Sequence, residues 1–276
     1  MSVSVLVLTL NEETNIGACL DTLSWSDDIV VLDSFSTDNT AKIAASRGAR
    51  IVERAFDNWS AHQNWAVASI EFKHPWVLYL DADERCPTEL RDEVLRRATH
   101  DCVESAFRIR RKDFFMGRWL KHAQHYPTWF VRLFRPEKIR YERLVNPVAV
   151  VDGPTGSLQE HFLHYPFSHG IGHWIARHNN YSDFESRELL KVREGTSRFT
   201  SRIFSQDPTE RRRGLKDLFF RLPGRPLVKF FYFLVWRRGF LDGHAGFTYS
   251  TLQAIYEYHI DCKYRELLRL KEGLPL

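Results

Sequence analysis

Residues 76–86, WVLYLDADERC, join an apolar run to Asp81, Ala82, Asp83 and Glu84 with nothing between them. A buried carboxylate without a partner costs several kcal/mol, roughly 3 or more. Three acids at the tip of a core strand therefore need a reason. In an extended chain the side chains at i and i+2 point to the same side, about 7 Å apart. Read that way, Asp81 and Asp83 share one face and can hold a hard divalent cation, with Glu84 turned away or supporting. Mg²⁺ or Mn²⁺ takes one or two protein carboxylates and completes its shell with water and phosphate oxygens. Acid triplets also arise in surface turns, so the context of this one matters.

That context is a series of strands and helices. SVLVLTL, DIVVLD, ARIVER and WVLYLD read as four strands. Between them, Ile16, Leu20 and Leu23 recur at helical spacing. Ala41, Ala44 and Ala45 follow a cap at Thr37 or Asp38 and stop at Gly48, and SAHQNWAVASI makes a third helix. Pro87 opens a fourth, with Leu90, Val94, Leu95 and Ala98 on one face. Such alternation predicts an α/β fold with a parallel sheet covered by helices. After residue 103 the pattern loosens. SAFRIRRKDFF and TWFVRLFRP read as strands, GHWIARHNNYSDFESRELLKV and STLQAIYEYHIDCKYRELLRL as helices. The expected organisation is a sheet domain over 1–197 and a basic, helical extension over 198–276.

The chain has 276 residues, 43% apolar and 27% charged, which fits a globular protein. Cys19, Cys86, Cys102 and Cys262 form no CxxC pair, as expected in a reducing compartment. MSVSVLVLTLNEE reads as a first strand, not a signal peptide. The longest apolar run, 226–236, is about half the roughly 20 residues that span a bilayer. The net charge of +4 hides an asymmetry: residues 198–238 hold eleven basic residues and three acids, or +8, and leave −4 for the remainder. This tract also carries Phe230, Phe231, Tyr232, Phe233 and Trp236. Basic and aromatic residues together suit an anionic membrane surface; the other reading is a solvated basic face beside core aromatics. The location expected is cytoplasmic, peripheral on the inner face of the membrane.

Open parallel sheets bind ligands beyond the carboxyl ends of their strands. Three such ends are polar here: Thr9, Asn11 and Glu12; Asp33 with SFSTDNT; and the DAD triplet. There is no GxGxxG and no Walker lysine motif, which argues against a dinucleotide fold or a P-loop NTPase. FRIRRKDFFMGRWLKH (107–122) is basic and aromatic, with Arg108, Arg110 and Arg111 alternating, but no nucleic-acid-binding signature accompanies it. Five of twelve histidines, His161, His164, His169, His173 and His178, fall within eighteen residues, without HExxH or a cysteine partner, so a closed zinc site is not expected.

LTLNEETNIGACL, VVLDSFSTDNTAKIA and WVLYLDADER together resemble the family 2 glycosyltransferases of GT-A fold. With RLFR, YSDFES and RRGFLDGHAGFTYS they resemble the bacterial branch that builds lipopolysaccharide core and other lipid-linked envelope glycans. The resemblance implies a metal-dependent, inverting transfer from a UDP-sugar to such an acceptor. It implies that Thr9, Asn11 and Glu12 line the nucleotide pocket and that Asp33 contacts uracil or ribose. Asp81, Ala82 and Asp83 would meet the donor, with Mn²⁺ or Mg²⁺ on Asp81 and Asp83, and His164 is the candidate for an added ligand. Two departures stand out. The usual D-G-S core of the second motif reads Ser34-Phe35-Ser36, and Asn146-Pro147 occupy the place of a His-Glu pair. The candidates for general base are then Glu142 and, behind it, Asp152. Two other readings suit such a sheet: a nucleotide-sugar-binding protein without a working base, and a sugar nucleotidyltransferase. The second would carry a glycine-rich basic loop after the first strand, and TLNEETN is not one.

Overall fold

The computed structural model describes residues 3–142, 147–194 and 224–276, with isolated positions between 204 and 222. It divides into two compact units: residues 1–115 with 125–168, and residues 116–124 with 169–276. The boundary expected at 197/198 falls outside the described residues.

In the first unit, β1 (Ser4–Thr9), β2 (Ile29–Asp33), β3 (Arg50–Glu53) and β4 (Val77–Asp81) pair in parallel, with β1 between β2 and β4. The apolar residues of β1 and β4 are buried on both faces, as are nearly all of those of β2, so these strands read as continuous apolar runs, while those of the edge strand β3 are half-buried. Odd positions Val5, Val7 and Val31, with Leu78 and Leu80, pack against α1 (Ile16–Asp21), α2 (Thr40–Ser46) and α4 (Thr88–Arg97). Leu6, Leu8, Val30, Leu32, Val77 and Tyr79 face the other way, toward α3 (Trp59–Ser69), whose Ala66 joins that cluster. Asn58 caps α3 by accepting the Ala61 N–H at 3.0 Å. Asp38 accepts the Thr40 N–H at 2.9 Å at the start of α2.

Beyond β4 lie β5 (Glu84–Arg85), β6 (Ala106–Phe115), β8 (Thr128–Phe134), the hairpin strands β9 (Ile139–Glu142) and β10 (Val148–Val151), and β11 (Thr155–His164). The short β7 (Arg118–Trp119) belongs to the second unit. The order across the sheet is β3-β2-β1-β4-β8-β6-β11-β5, while β9 and β10 pair separately. β8 runs antiparallel to β4 and β6, β11 runs parallel to β6, and β5 runs antiparallel to β11. The α/β class expected from the sequence is the one observed. β11, the hairpin and β5 were not expected.

Apart from β7, the second unit is helical among the described residues. α5 (Gly170–Glu194) and α7 (Gly243–Lys271) pack through Leu189, Ile260 and Tyr264. α6 (Arg225–Phe231) runs into a π-helical turn over Tyr232–Trp236. Asp242, buried before α7, accepts the backbone N–H groups of His122 and Ala123 at 2.9 and 2.7 Å. No described helix is long and apolar enough to cross a membrane.

Candidate active site

The reversal of strand order at β1 puts the carboxyl ends of β1, β2 and β4 side by side. Thr9 is paired with Asp33, and Leu8 with Asp81. Thr9 is buried, and its Oγ1 makes no hydrogen bond among the described residues. Buried hydroxyls are nearly always bonded, which marks this strand end as a place for a ligand. Asp33 is also buried; its carboxylate accepts the Ser36 N–H at 2.8 Å and the Ser36 hydroxyl at 2.5 Å. That turn puts Phe35 at φ 62°, with its side chain exposed. Asn11 ties the neighbouring loop to it: its N–H donates to Ser36 Oγ and its side-chain oxygen accepts the Thr37 N–H, both at 2.8 Å.

The DAD segment is not extended. β4 stops at Asp81, and Ala82-Asp83 turn into β5. The same-side pairing expected of Asp81 and Asp83 rested on strand geometry and does not apply. The cause is Glu84, fully buried, whose carboxylate folds back to accept the Asp81 N–H at 3.0 Å. Arg132 of β8 donates from Nη2 to Glu84 Oε1 at 2.7 Å and to Asp81 Oδ2 at 2.8 Å. The Tyr79 hydroxyl donates to Asp81 Oδ1 at 2.7 Å, so both oxygens of Asp81 are engaged. The Arg132 guanidinium lies 4.2 Å from the Tyr79 ring centre and 5.3 Å from that of Phe162. Burial raises the Glu84 carboxyl, and Arg132 opposes that shift.

Asp83 faces His164, the last residue of β11, with Oδ2 and Nε2 3.3 Å apart. On the other side of the ring, Nδ1 lies 2.5 Å from Asp113 Oδ1, and Arg111 Nε makes an ion pair with the same oxygen at 2.9 Å. Burial opposes a charged imidazole, but Asp83 and the Asp113 hydrogen bond prevail, and His164 is raised to about 9. Burial would raise the Asp113 carboxyl, yet His164 and Arg111 hold it below the usual carboxylate range. Three loops meet nearby. Asn15, buried, donates to Glu12 Oε2 at 2.6 Å and to Ser168 Oγ at 2.7 Å, and Arg85 stacks over the Tyr165 ring at 5.5 Å. Ala82 is buried, and its carbonyl accepts from Arg85 at 3.0 Å.

The structure thus gathers Thr9, Asp33, Asp81, Asp83 and His164, with Asn11 and Glu12 on the adjoining loop. Glu142 closes β9 with its side chain exposed and 3.2 Å from Arg140. Its neighbour Tyr141 is buried on the other face of that strand; burial raises its hydroxyl pKa, and the charges of Arg132 and Asp81 act on it in opposite senses. Asp152 is not brought to this group. It lies past the Val151–Ile139 pair, roughly 13 Å along the hairpin from Glu142, exposed and held by Lys138 at 3.0 Å. Asn146 lies outside the described residues. The sequence reading missed Tyr79, Asp113 and Arg132; the available signal was charge, an Asp and an Arg set among strand aromatics.

No group of three or more His, Cys, Asp or Glu among the described residues is arranged around a metal position. The pair Asp83 and His164 nevertheless suits one. Adjacent ligands of an octahedral ion with ~2.1 Å bonds lie roughly 3 Å apart, close to the spacing found here. A carboxylate behind the second imidazole nitrogen is also the usual support of a metal-bound histidine.

A sequence model described as Glycosyl transferase family 2 matches residues 4–162. The lipopolysaccharide core biosynthesis glycosyltransferase LpsC of Rhizobium meliloti is 25% identical over 275 residues, covering 94% of this chain and 93% of LpsC. An uncharacterized glycosyltransferase of Rickettsia bellii is 24% identical, over 96% of this chain and 86% of its own. Among solved structures, glucosyl-3-phosphoglycerate synthase from Mycobacterium tuberculosis, in complex with Mn²⁺, UDP and glucosyl-3-phosphoglycerate, is 25% identical. It superposes with a TM-score of 0.33 over 42% of this chain and 44% of that one.

Proposed function

Because the chain belongs to glycosyl transferase family 2, we propose that this glycosyltransferase moves a sugar from a UDP-sugar to a lipid-linked envelope glycan, with inversion at the anomeric carbon. The observation that carries this reading is the row Asp83–His164–Asp113 at the end of β4, beside the bare Thr9 hydroxyl of β1. The likeness to LpsC over nearly the whole of both chains supports an acceptor of lipopolysaccharide type. The basic, aromatic tract at 198–238 supports one presented at an anionic membrane surface on the cytoplasmic side.

In the proposed reaction an acceptor hydroxyl attacks the anomeric carbon, its proton passes to a base, and UDP leaves with the electrons of the broken bond. Asp83 and His164 would hold a divalent cation, Mn²⁺ or Mg²⁺, which supplies charge stabilisation to the departing diphosphate. Asp113 keeps the His164 ring oriented, with Nε2 toward Asp83. Arg132 and Tyr79 fix Asp81, and Glu84 fixes the turn that presents Asp83. Asp33 shapes the loop at the nucleotide end, with Asn11 and Glu12 on the facing loop. Glu142 is the base favoured here. Its exposed pairing with Arg140 is of the kind worth little, so the side chain can reorient.

The test is UDP release with Mn²⁺, measured with and without lipid-linked acceptors. Acceptor-dependent turnover is expected. UDP binding with no turnover on any envelope acceptor would instead support a nucleotide-sugar-binding protein.

A further inference from the structure

α6 and the turn that continues it carry their apolar residues outward. Leu227, Val228, Phe231, Tyr232, Val235 and Trp236 follow one another at i, i+1, i+4, i+5, i+8 and i+9, which is one face of a helix. All six are exposed, Leu227 to 66% and Trp236 to 81%. Residues 225, 229 and 233 define the opposite face. There Arg225 and Phe233 are buried, and Arg225 and Lys229 each lie 3.2 Å from Glu257, which is buried on α7. The helix is therefore anchored through an ionic face and presents its apolar one. Phe240, Leu241 and Phe247 are exposed as well, and the Phe230 ring links Phe231 to Phe247 with centres 5.4 and 5.8 Å apart. Scattered apolar residues on a surface are ordinary; a continuous stripe marks an interaction site.

We propose that this stripe is a membrane-docking face that lies in the headgroup boundary of an anionic bilayer. Charge selects the occupant. In sequence the stripe belongs to a stretch, 198–238, of net charge +8; Arg225 and Lys229 are tied to Glu257, and Arg238 is exposed just after the stripe. A second copy of the chain meeting the stripe across a two-fold axis would bring the exposed Arg238 of each copy to one interface, like charge against like. An anionic surface instead attracts the basic residues held near its headgroups. Trp236 and Tyr232 are the side chains whose apolar body and polar tip suit that boundary. The inference rests on the proposed reading for which membrane is met, and not for the docking itself.

The experiment is co-sedimentation of the full chain with phosphatidylglycerol/phosphatidylethanolamine vesicles and with phosphatidylcholine vesicles, alongside quenching of tryptophan fluorescence by brominated lipids. Binding to the anionic vesicles that weakens as salt is raised is expected, with quenching reduced in Trp236→Phe. The triple variant Leu227→Ser, Phe231→Ser, Trp236→Ser should lose about tenfold or more in partition, with an unchanged thermal melt. Wild-type protein that ignores anionic vesicles would overturn the proposal, as would equal partition of a folded triple variant. A triple variant that binds vesicles normally but dissociates a dimer would do the same and assign the stripe to self-association. UDP release is scored separately, so an enzyme that turns over acceptor and does not bind vesicles defeats this proposal alone.

Discussion

Arg132 Nη2 lies 2.7 Å from Glu84 Oε1, and neither side chain is more than 6% exposed. Removing one partner of a buried ion pair leaves an uncompensated charge and costs about 3–5 kcal/mol. Arg132→Met should therefore lower the urea midpoint sharply. The double variant Arg132→Met, Glu84→Gln should regain part of the loss, because only Asp81, whose side chain is 35% exposed, is then left without its arginine. Equal destabilisation by the single and double variants would mean that the pair acts through packing alone.

Asp113 meets the proposed metal position only through His164. Asp113→Asn is expected to weaken Mn²⁺ binding by about 10- to 100-fold, with UDP binding in the absence of metal unchanged. Asp83→Asn should abolish metal-dependent UDP binding altogether. Calorimetric titration of each variant with Mn²⁺ and UDP separates the two effects, and wild-type affinity in Asp83→Asn would remove the cation from this position.

For the base, two exposed acids give opposite expectations. Glu142→Gln should reduce kcat roughly a hundredfold or more with little change in donor KM, while Asp152→Asn should leave both unchanged. Steady-state kinetics with a saturating acceptor checks this. A normal kcat for Glu142→Gln would place the base elsewhere.

Acid stability has an identifiable contributor far from the site chemistry. Burial would raise the Asp28 carboxyl, but the Ser4 hydroxyl at 2.5 Å, the Lys73 N–H at 2.8 Å and Arg50 at 3.6 Å hold it below its ordinary value. A depressed carboxyl favours the folded chain above the unfolded pKa, about 3.9. Its stabilisation is then lost as pH falls through the folded value. Asp28→Asn should cost about 1–3 kcal/mol at neutral pH and flatten the acid limb of stability below about pH 4. An acid limb identical to wild type would assign that loss to other groups.

The first four strands and their helices were legible because their apolar runs are uninterrupted and their breaks are polar. β11 was not. Its residues TGSLQEHFLH carry Gln159, Glu160 and two histidines, and its pairing with β6 slips between Ser157 and His161. At that slip the Glu93 carboxylate accepts the N–H groups of Gln159 and Glu160 at 2.8–3.0 Å, replacing ladder bonds with a side chain from α4. No periodicity within 155–164 announces such a partner. His164 was named from position, but Asp113, fifty-one residues earlier, could be joined to it only by the β6–β11 register. Arg132 was hidden in the same way: charge in a strand reads as an outward position until the turn after β4 brings Glu84 to it.

The turn after β2 bears on base selectivity. Phe35 holds a left-handed backbone angle that glycine adopts freely and that costs other residues about 1–2 kcal/mol. Its ring stands in solvent beside Asp33, whose carboxylate is already taken by Ser36. A flat guest at this end of the pocket would be met by a π face more than by free hydrogen-bonding groups, and stacking is tolerant of which base is stacked. The expectation is a donor site that grades UDP, CDP and TDP only shallowly in competition. Phe35→Gly should yield a chain that melts higher and holds all three more weakly.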